Sequence, residues 1–137
     1  GIAMTFEELL ARDKPTLPLK KAAGKALLHG HCHQKAFDAV RPIEEVLGWI
    51  DGLDVTPIES SCCGMAGAFG YGADSYDISM QMANENLLPA IRKADADDLL
   101  IADGTSCRCQ IKDGTNRNAK HVALVLDSYL EDTKTTN

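Results

Sequence analysis

Five cysteines divide into three groups along this chain: Cys32 alone, Cys62 and Cys63 adjacent, and Cys107 and Cys109 separated by one residue. Thiolates are the protein ligands of iron-sulfur clusters and are common ligands of zinc, so the grouping is a metal-site layout. The adjacent pair discriminates between metals. In an extended backbone neighbouring side chains point to opposite faces, so Cys62 and Cys63 do not readily chelate one small tetrahedral ion together. A cluster of several irons removes the difficulty, because two sulfurs can approach different irons. Gly64 and Gly67 follow the pair. They let the backbone come close and aim N–H groups at sulfur, which favours the reduced, more negative state of a cluster. Any one cysteine taken alone reads as a small core residue. Five of them in three breaks read as ligands, with a zinc site or a thiol redox pair as the alternatives.

Three imidazoles, His29, His31 and His33, flank Cys32. If this stretch is a strand end, they share one face and Cys32 points the other way. They are then hydrogen-bond donors or tuning charges beside the site rather than ligands, with His31 and His33 next to the cysteine. Arg108 lies between two cysteines, and a cation there would raise the reduction potential of a nearby cluster. On a helical first turn Cys107 and Cys109 would stand about 200° apart, so that only Cys107 faces the centre. The run Gly67 to Gly72 is rich in glycine but lacks the G-x-G-x-x-G spacing of a dinucleotide loop. Met65, Met80 and Met82 read as core filling.

Each cysteine group follows an apolar, strand-like run: Ala26-Leu27-Leu28, Val55 to Ile58, and Leu99-Leu100-Ile101. In a parallel sheet the three breaks fall on one edge, where open α/β folds build their sites. The pattern predicts strands at about 25–30, 55–59 and 98–102. A first helix is expected over Phe6 to Arg12, with Thr5 and Glu8 forming a capping box; the residues ahead of it read in part as a cloning remnant. Further helices are expected over 35–50, with Pro42 kinking it or starting its longer half, and over 75–93, interrupted at Pro89. A short helix is expected over 107–114 and an amphipathic one over 121–130, although Val122 to Leu126 alone would pass for a strand. The fold class is α/β, three-layered and Rossmann-like, with a short, mostly parallel sheet. The domain organisation reads as an N-terminal helix and extended linker over 1–24, a cysteine-rich domain over 25–130, and a polar, mobile tail over 131–137.

Composition acts by exclusion. With 137 residues, 45% hydrophobic content and a net charge of -6, the chain can bury one core. It offers no basic face for nucleic acid. No apolar run reaches the roughly 20 residues of a membrane span, and no signal-peptide pattern opens the sequence. An odd cysteine count without a secretory signal argues against a disulfide framework. The reading is cytoplasmic, with any membrane contact peripheral and made through partners.

Three blocks carry a family likeness. His31-Cys32-His33-Gln34-Lys35-Ala36, Ser61-Cys62-Cys63-Gly64-Met65-Ala66-Gly67 and Asp103-Gly104-Thr105-Ser106-Cys107-Arg108-Cys109-Gln110 resemble the cysteine-rich, or CCG, domain family. That family includes the cysteine-rich component of heterodisulfide reductase, the iron-sulfur subunits of glycolate oxidase and anaerobic glycerol-3-phosphate dehydrogenase, and lactate-utilisation proteins. Within it the likeness is to the C-terminal iron-sulfur domain of bacterial fusions with an FAD-linked oxidase of the D-lactate or 2-hydroxyglutarate dehydrogenase type. The resemblance covers about residues 25 to 130. It implies a 4Fe-4S centre, which in heterodisulfide reductase is a noncubane form held by five cysteines. Cys32, Cys62, Cys63 and Cys107 map onto the family pattern directly. Cys109 departs from it, since the family has Cys-x-x-Cys where this chain has Cys-x-Cys. The implied role is electron transfer within a flavin-dependent 2-hydroxy-acid oxidoreductase, with flavin-binding and ferredoxin-like domains or subunits as partners and the FAD held there. A chain without a flavin domain or a ferredoxin-type cysteine repeat is expected not to be a complete enzyme.

Overall fold

The computed structural model describes residues 3–60 and 62–132. Beyond Asp132, the tail expected to be mobile lies outside the described residues. Three strands, β1 (Gly24–His29), β2 (Leu53–Pro57) and β3 (Leu99–Ala102), form a sheet in the order β2-β1-β3 with both pairings parallel. In register, Leu28 of β1 stands between Pro57 of β2 and Ile101 of β3. The three strand ends therefore share one edge.

Among the described residues seven α-helices surround the sheet: α1 (Phe6–Asp13), α2 (Cys32–Ala36), α3 (Val40–Leu47), α4 (Tyr76–Glu85), α5 (Leu87–Lys93), α6 (Thr105–Thr115) and α7 (Val122–Tyr129). Strand alternation sorts the core into two halves. Ala26, Leu28 and Ile101 face Ile43, Val46 and Leu47 of α3 and Val122, Val125 and Leu126 of α7. Leu27, Leu100 and Ala102 face Ala83 of α4, Leu87, Leu88 and Ile91 of α5, and Cys107 and Ile111 of α6. Helices on both faces of a parallel sheet make the three-layer α/β arrangement. Among the described residues no helix is long and apolar enough to cross a membrane.

Both long helices expected from the periodicity are divided. The 35–50 segment is α2 and α3, separated at Asp38, whose φ of 54° lies in the left-handed region. Pro42 is the third residue of α3, where no intrahelical N–H bond is required. The 75–93 segment breaks at Asn86 (φ −139°, ψ −43°) rather than at Pro89. Pro89 then sits in the first turn of α5, and its cost is met three residues upstream. The ambiguous Val122 to Leu126 run is helical. Its chain neighbour Lys120 extends the β3 edge instead, donating its N–H to Leu100 O at 2.8 Å and accepting from Ala102 N at 3.0 Å.

Helix α1 begins as its sequence indicates. Thr5 Oγ1 accepts from Glu8 N at 3.3 Å and Glu8 Oε2 accepts from Thr5 N at 2.7 Å. It packs against α3, with Leu10 and Ala11 against the core.

Candidate metal centre

Each strand of the sheet delivers one cysteine group to the shared edge. After β1, Gly30 and His31 lead into α2, whose first residue is Cys32. After β2, Ile58 N still bonds Leu28 O at 2.8 Å, and the chain then leaves the sheet into the Cys62-Cys63 loop. After β3, Asp103 and Gly104 lead into α6, with Cys107 in its first turn. The N-terminal end of this 11-residue helix places partial positive charge near the Cys107 sulfur.

The sulfurs converge. Cys107 Sγ donates to Cys63 Sγ across 3.3 Å, both residues being buried. Cys32 and Cys62 lie near each other at this edge. The charges of Cys63, Cys32 and Cys62 all act on Cys107. The bond from Cys107 draws the Cys63 thiol down to about 4, helped by His29 and the Met65 N–H, while the same bond and burial push Cys107 well up. Burial and Cys62 raise Cys32. The interior pair is thus driven apart, Cys63 toward the thiolate and Cys107 toward the thiol.

The loop that carries the vicinal pair is shaped by its glycine. Gly64 has φ +87°, and a Cβ there would stand 2.2 Å from Ser79 O, so only glycine fits against α4. Its N–H reaches Cys62 Sγ at 3.3 Å. Gly67, at φ +73°, faces open space.

The remaining sequence candidates occupy distinct places. His31 caps α2, its Nδ1 accepting from His33 N at 3.2 Å, and its ring packs where a Cβ on Gly104 would meet it. His33 is exposed and its ring lies 4.7 Å from that of Phe37. Arg108 directs its guanidinium to the end of β3, donating to Ala102 O at 3.0 Å, Asp103 O at 2.6 Å and Thr105 Oγ1 at 3.2 Å. Cys109 stands beside Tyr71 in a cleft of about 410 Å³ that Lys112 and Asp113 also line. The alternation expected for the three histidines does not arise, because β1 ends at His29 and the chain is helical from Cys32.

His29 is the histidine at the centre. It follows Leu27 on the α6 face of β1, and its ligand nitrogen together with Cys63 Sγ and Cys107 Sγ forms a fully buried group, all within 4.8 Å of one another. Gln110, quoted only as part of a motif, is a second such residue. It is buried in α6, and its Nε2 donates to Cys63 O and to Ser79 Oγ, both at 3.0 Å, tying the cysteine loop to α4 and α6. The signals were present: a histidine in strand register with a core leucine, and a glutamine one α-helical turn after Cys107.

A polar brace joins the strand ends on the opposite face. Asp103 Oδ2 accepts from Gln34 Nε2 at 3.1 Å and Oδ1 from Val122 N at 3.0 Å. His121 Nε2 stands 3.7 Å from Asp103 Oδ1 and 3.9 Å from Glu7 Oε1. Because His121 Nδ1 accepts from Ala123 N at 3.0 Å, the neutral ring carries its proton on Nε2, facing both carboxylates. At 3.7 and 3.9 Å these are ion-pair contacts rather than hydrogen bonds, and Glu7 Oε1 has no hydrogen-bond partner among the described residues. Glu7 is buried, and its carboxyl is raised by desolvation first and by Asp103 next.

The donor chemistry at the first site suits an iron-sulfur cluster. Two thiols are in contact, two more from the neighbouring segments lie near enough to act on them, backbone N–H groups are aimed at sulfur, and a buried imidazole nitrogen there has no hydrogen-bond partner among the described residues.

No protein-family profile matches the chain, and no solved structure matches it. Curated relatives do. Over 115 residues, 84% of its length, the chain is 33% identical to one of the subunits of the anaerobic glycerol-3-phosphate dehydrogenase of Escherichia coli K12. Over 126 residues, 90% of its length, it is 30% identical to the D-2-hydroxyglutarate dehydrogenase of Pseudomonas putida KT2440. The chain spans 28% of the first protein and 12% of the second. It is therefore related, over most of its length, to a segment of each of these dehydrogenase proteins, in agreement with the cysteine-rich, or CCG, domain family that its three cysteine blocks resemble.

Proposed function

We propose that this chain is an iron-sulfur electron-transfer domain of a flavin-dependent 2-hydroxy-acid oxidoreductase, with Cys32, Cys62, Cys63 and Cys107 holding a 4Fe-4S centre. The observation that carries this reading is the convergence of four thiols from the ends of three parallel strands. When bound, the cluster takes up and releases single electrons. The chain's own groups do the rest. Gly64 N–H donates to Cys62 sulfur, Gln110 fixes the loop, and the α6 N-terminus stabilises negative charge on Cys107. Cys109, turned to Tyr71, serves no ligand role in this assignment. The relatives' names, one a subunit of a dehydrogenase and the other a 2-hydroxy-acid dehydrogenase, support a place within a larger dehydrogenase; its flavin-binding and ferredoxin-like domains or subunits, with FAD bound there, are the partners of this proposal.

Anaerobic reconstitution with iron and sulfide, followed by iron and acid-labile sulfide analysis and EPR, tests the proposal. Stoichiometric iron and sulfide with a reducible cluster signal is the expected result. Stoichiometric zinc with no iron uptake would overturn it.

One observation favours that second reading. Thiolates sharing a single zinc ion, with bonds near 2.3 Å, lie about 3.8 Å apart. The 3.3 Å between Cys63 and Cys107, with the His29 nitrogen within 4.8 Å of both, is close to such a set. The same metal analysis separates the two.

A further inference from the structure

His29 is 1% exposed at the end of β1. Its Nδ1 is engaged by Ser60 Oγ at 2.9 Å. Ser60 is itself gripped by Lys35, whose Nζ donates to Ser60 O and reaches Ser60 Oγ at 3.5 Å. With Lys35 supplying a donor to that oxygen, the Ser60 hydroxyl keeps its own hydrogen for His29 Nδ1. The ring proton then resides on Nε2. Nε2 is buried and has no hydrogen-bond partner among the described residues, and a ring nitrogen of His29 lies within 4.8 Å of the Cys63 and Cys107 sulfurs. A buried donor is rarely left unpaired, and sulfur bearing the charge of a metal centre is the acceptor within reach. Strand register holds the ring there, since moving His29 by one residue would turn it to the α3 face.

We propose that His29 donates its Nε2–H to the sulfur of Cys63 in the metal-loaded protein and thereby sets the reduction potential of the centre. This rests on the iron-sulfur reading above. Hydrogen bonds to cluster sulfur stabilise the more negative, reduced state. His29 is a positioning residue, oriented in turn by Ser60, and His31 and His33 take no part: one caps a helix and the other stacks on Phe37.

The test uses the anaerobically reconstituted full chain. Wild type, His29→Leu, His29→Gln and Ser60→Ala are titrated by EPR, and wild type labelled with 15N-histidine is studied by pulsed EPR before and after exchange into deuterium oxide. His29→Leu is expected to lower the reduced-to-oxidised ratio at fixed potential about tenfold, equivalent to about 59 mV for one electron. His29→Gln, which can still donate an N–H, should recover part of this, and Ser60→Ala should fall between. The labelled wild type should show one weakly coupled histidine nitrogen with an exchangeable hydrogen. An unchanged potential in a cluster-bearing His29→Leu protein would overturn the proposal. So would a strong nitrogen coupling, which marks direct ligation to iron. If His29→Leu fails to fold, Ser60→Ala and the labelled spectra decide. Failure of the wild type to take up iron and sulfide would instead refute the iron-sulfur reading, and metal analysis alone reports it.

Discussion

The Sγ atoms of Cys63 and Cys107 lie 3.3 Å apart although 44 residues separate them in the chain. The contact is made by two strand ends rather than by a local turn, and the Cys107 thiol donates its proton across it. Loading a metal must displace that proton, because only thiolates ligate.

Two cysteines two positions apart should then behave differently. Cys107→Ser is expected to abolish iron retention after anaerobic reconstitution. Cys109→Ser is expected to retain most of it, since this side chain meets Tyr71. Equal losses in both variants, measured as iron per chain, would place Cys109 among the ligands.

Gly64→Ala tests the loop. A methyl group at φ +87° is strained, and 2.2 Å from Ser79 O it has no room. The substitution should cost at least about 1–3 kcal/mol in denaturant unfolding and should reduce metal uptake. Gly67→Ala, with open space around it, should carry only the cost of its backbone conformation. Equal effects would show that contact with α4 is unimportant.

Glu7 gives the acid brace a pH dependence. Its folded-state pKa is raised above the ordinary carboxylate value, by burial first and Asp103 next. The stability contributed by the protonated carboxyl is therefore full below its unfolded pKa and is lost as pH rises through the folded value. Glu7→Gln should flatten that fall and be more stable than wild type at neutral pH, by on the order of 1 kcal/mol. Chemical denaturation from pH 4 to pH 8 measures it. A variant less stable than wild type throughout would mean that the charged form is the one the brace requires.

Arg108→Gln should lower stability by about 1–3 kcal/mol through loss of its bonds to the Ala102 and Asp103 carbonyls. Iron content should be unchanged, and the potential should fall by a few tens of millivolts at most, given screening of the charge. Melting curves and a redox titration separate the two effects. A large change in potential without loss of stability would assign Arg108 to tuning alone.

The strands were legible because Ala26 to Leu28, Val55 to Ile58 and Leu99 to Ile101 are apolar runs closed by polar or glycine-rich breaks. Parallel pairing then placed the cysteine groups on one edge. Helix interruptions were less legible. Proline marks a helix that must begin nearby, but the break itself fell at Asp38 and Asn86, whose conformations depend on how each half packs. The histidines misled for a related reason. Alternation carried through His33 presumes a strand that long, whereas β1 stops at His29, so the imidazole nearest the sulfurs is the one furthest from Cys32 in sequence among the three. The Glu7–Asp103–His121 brace joins residues whose partners are remote in the chain, and no local pattern announces it.

The central position of β1 also governs the order of assembly. Among the three strands, β2 and β3 each pair with β1 and not with each other, and each parallel pairing closes a loop containing at least one helix. Contacts of such long sequence separation form slowly compared with helical turns. No two cysteine groups can therefore be held together until the middle strand has acquired its neighbours, and during that interval the thiols are open to oxidant. Refolding yield should depend on reductant far more than the finished fold does, because the sheet that gathers the sulfurs is also what shelters Cys63 and Cys107.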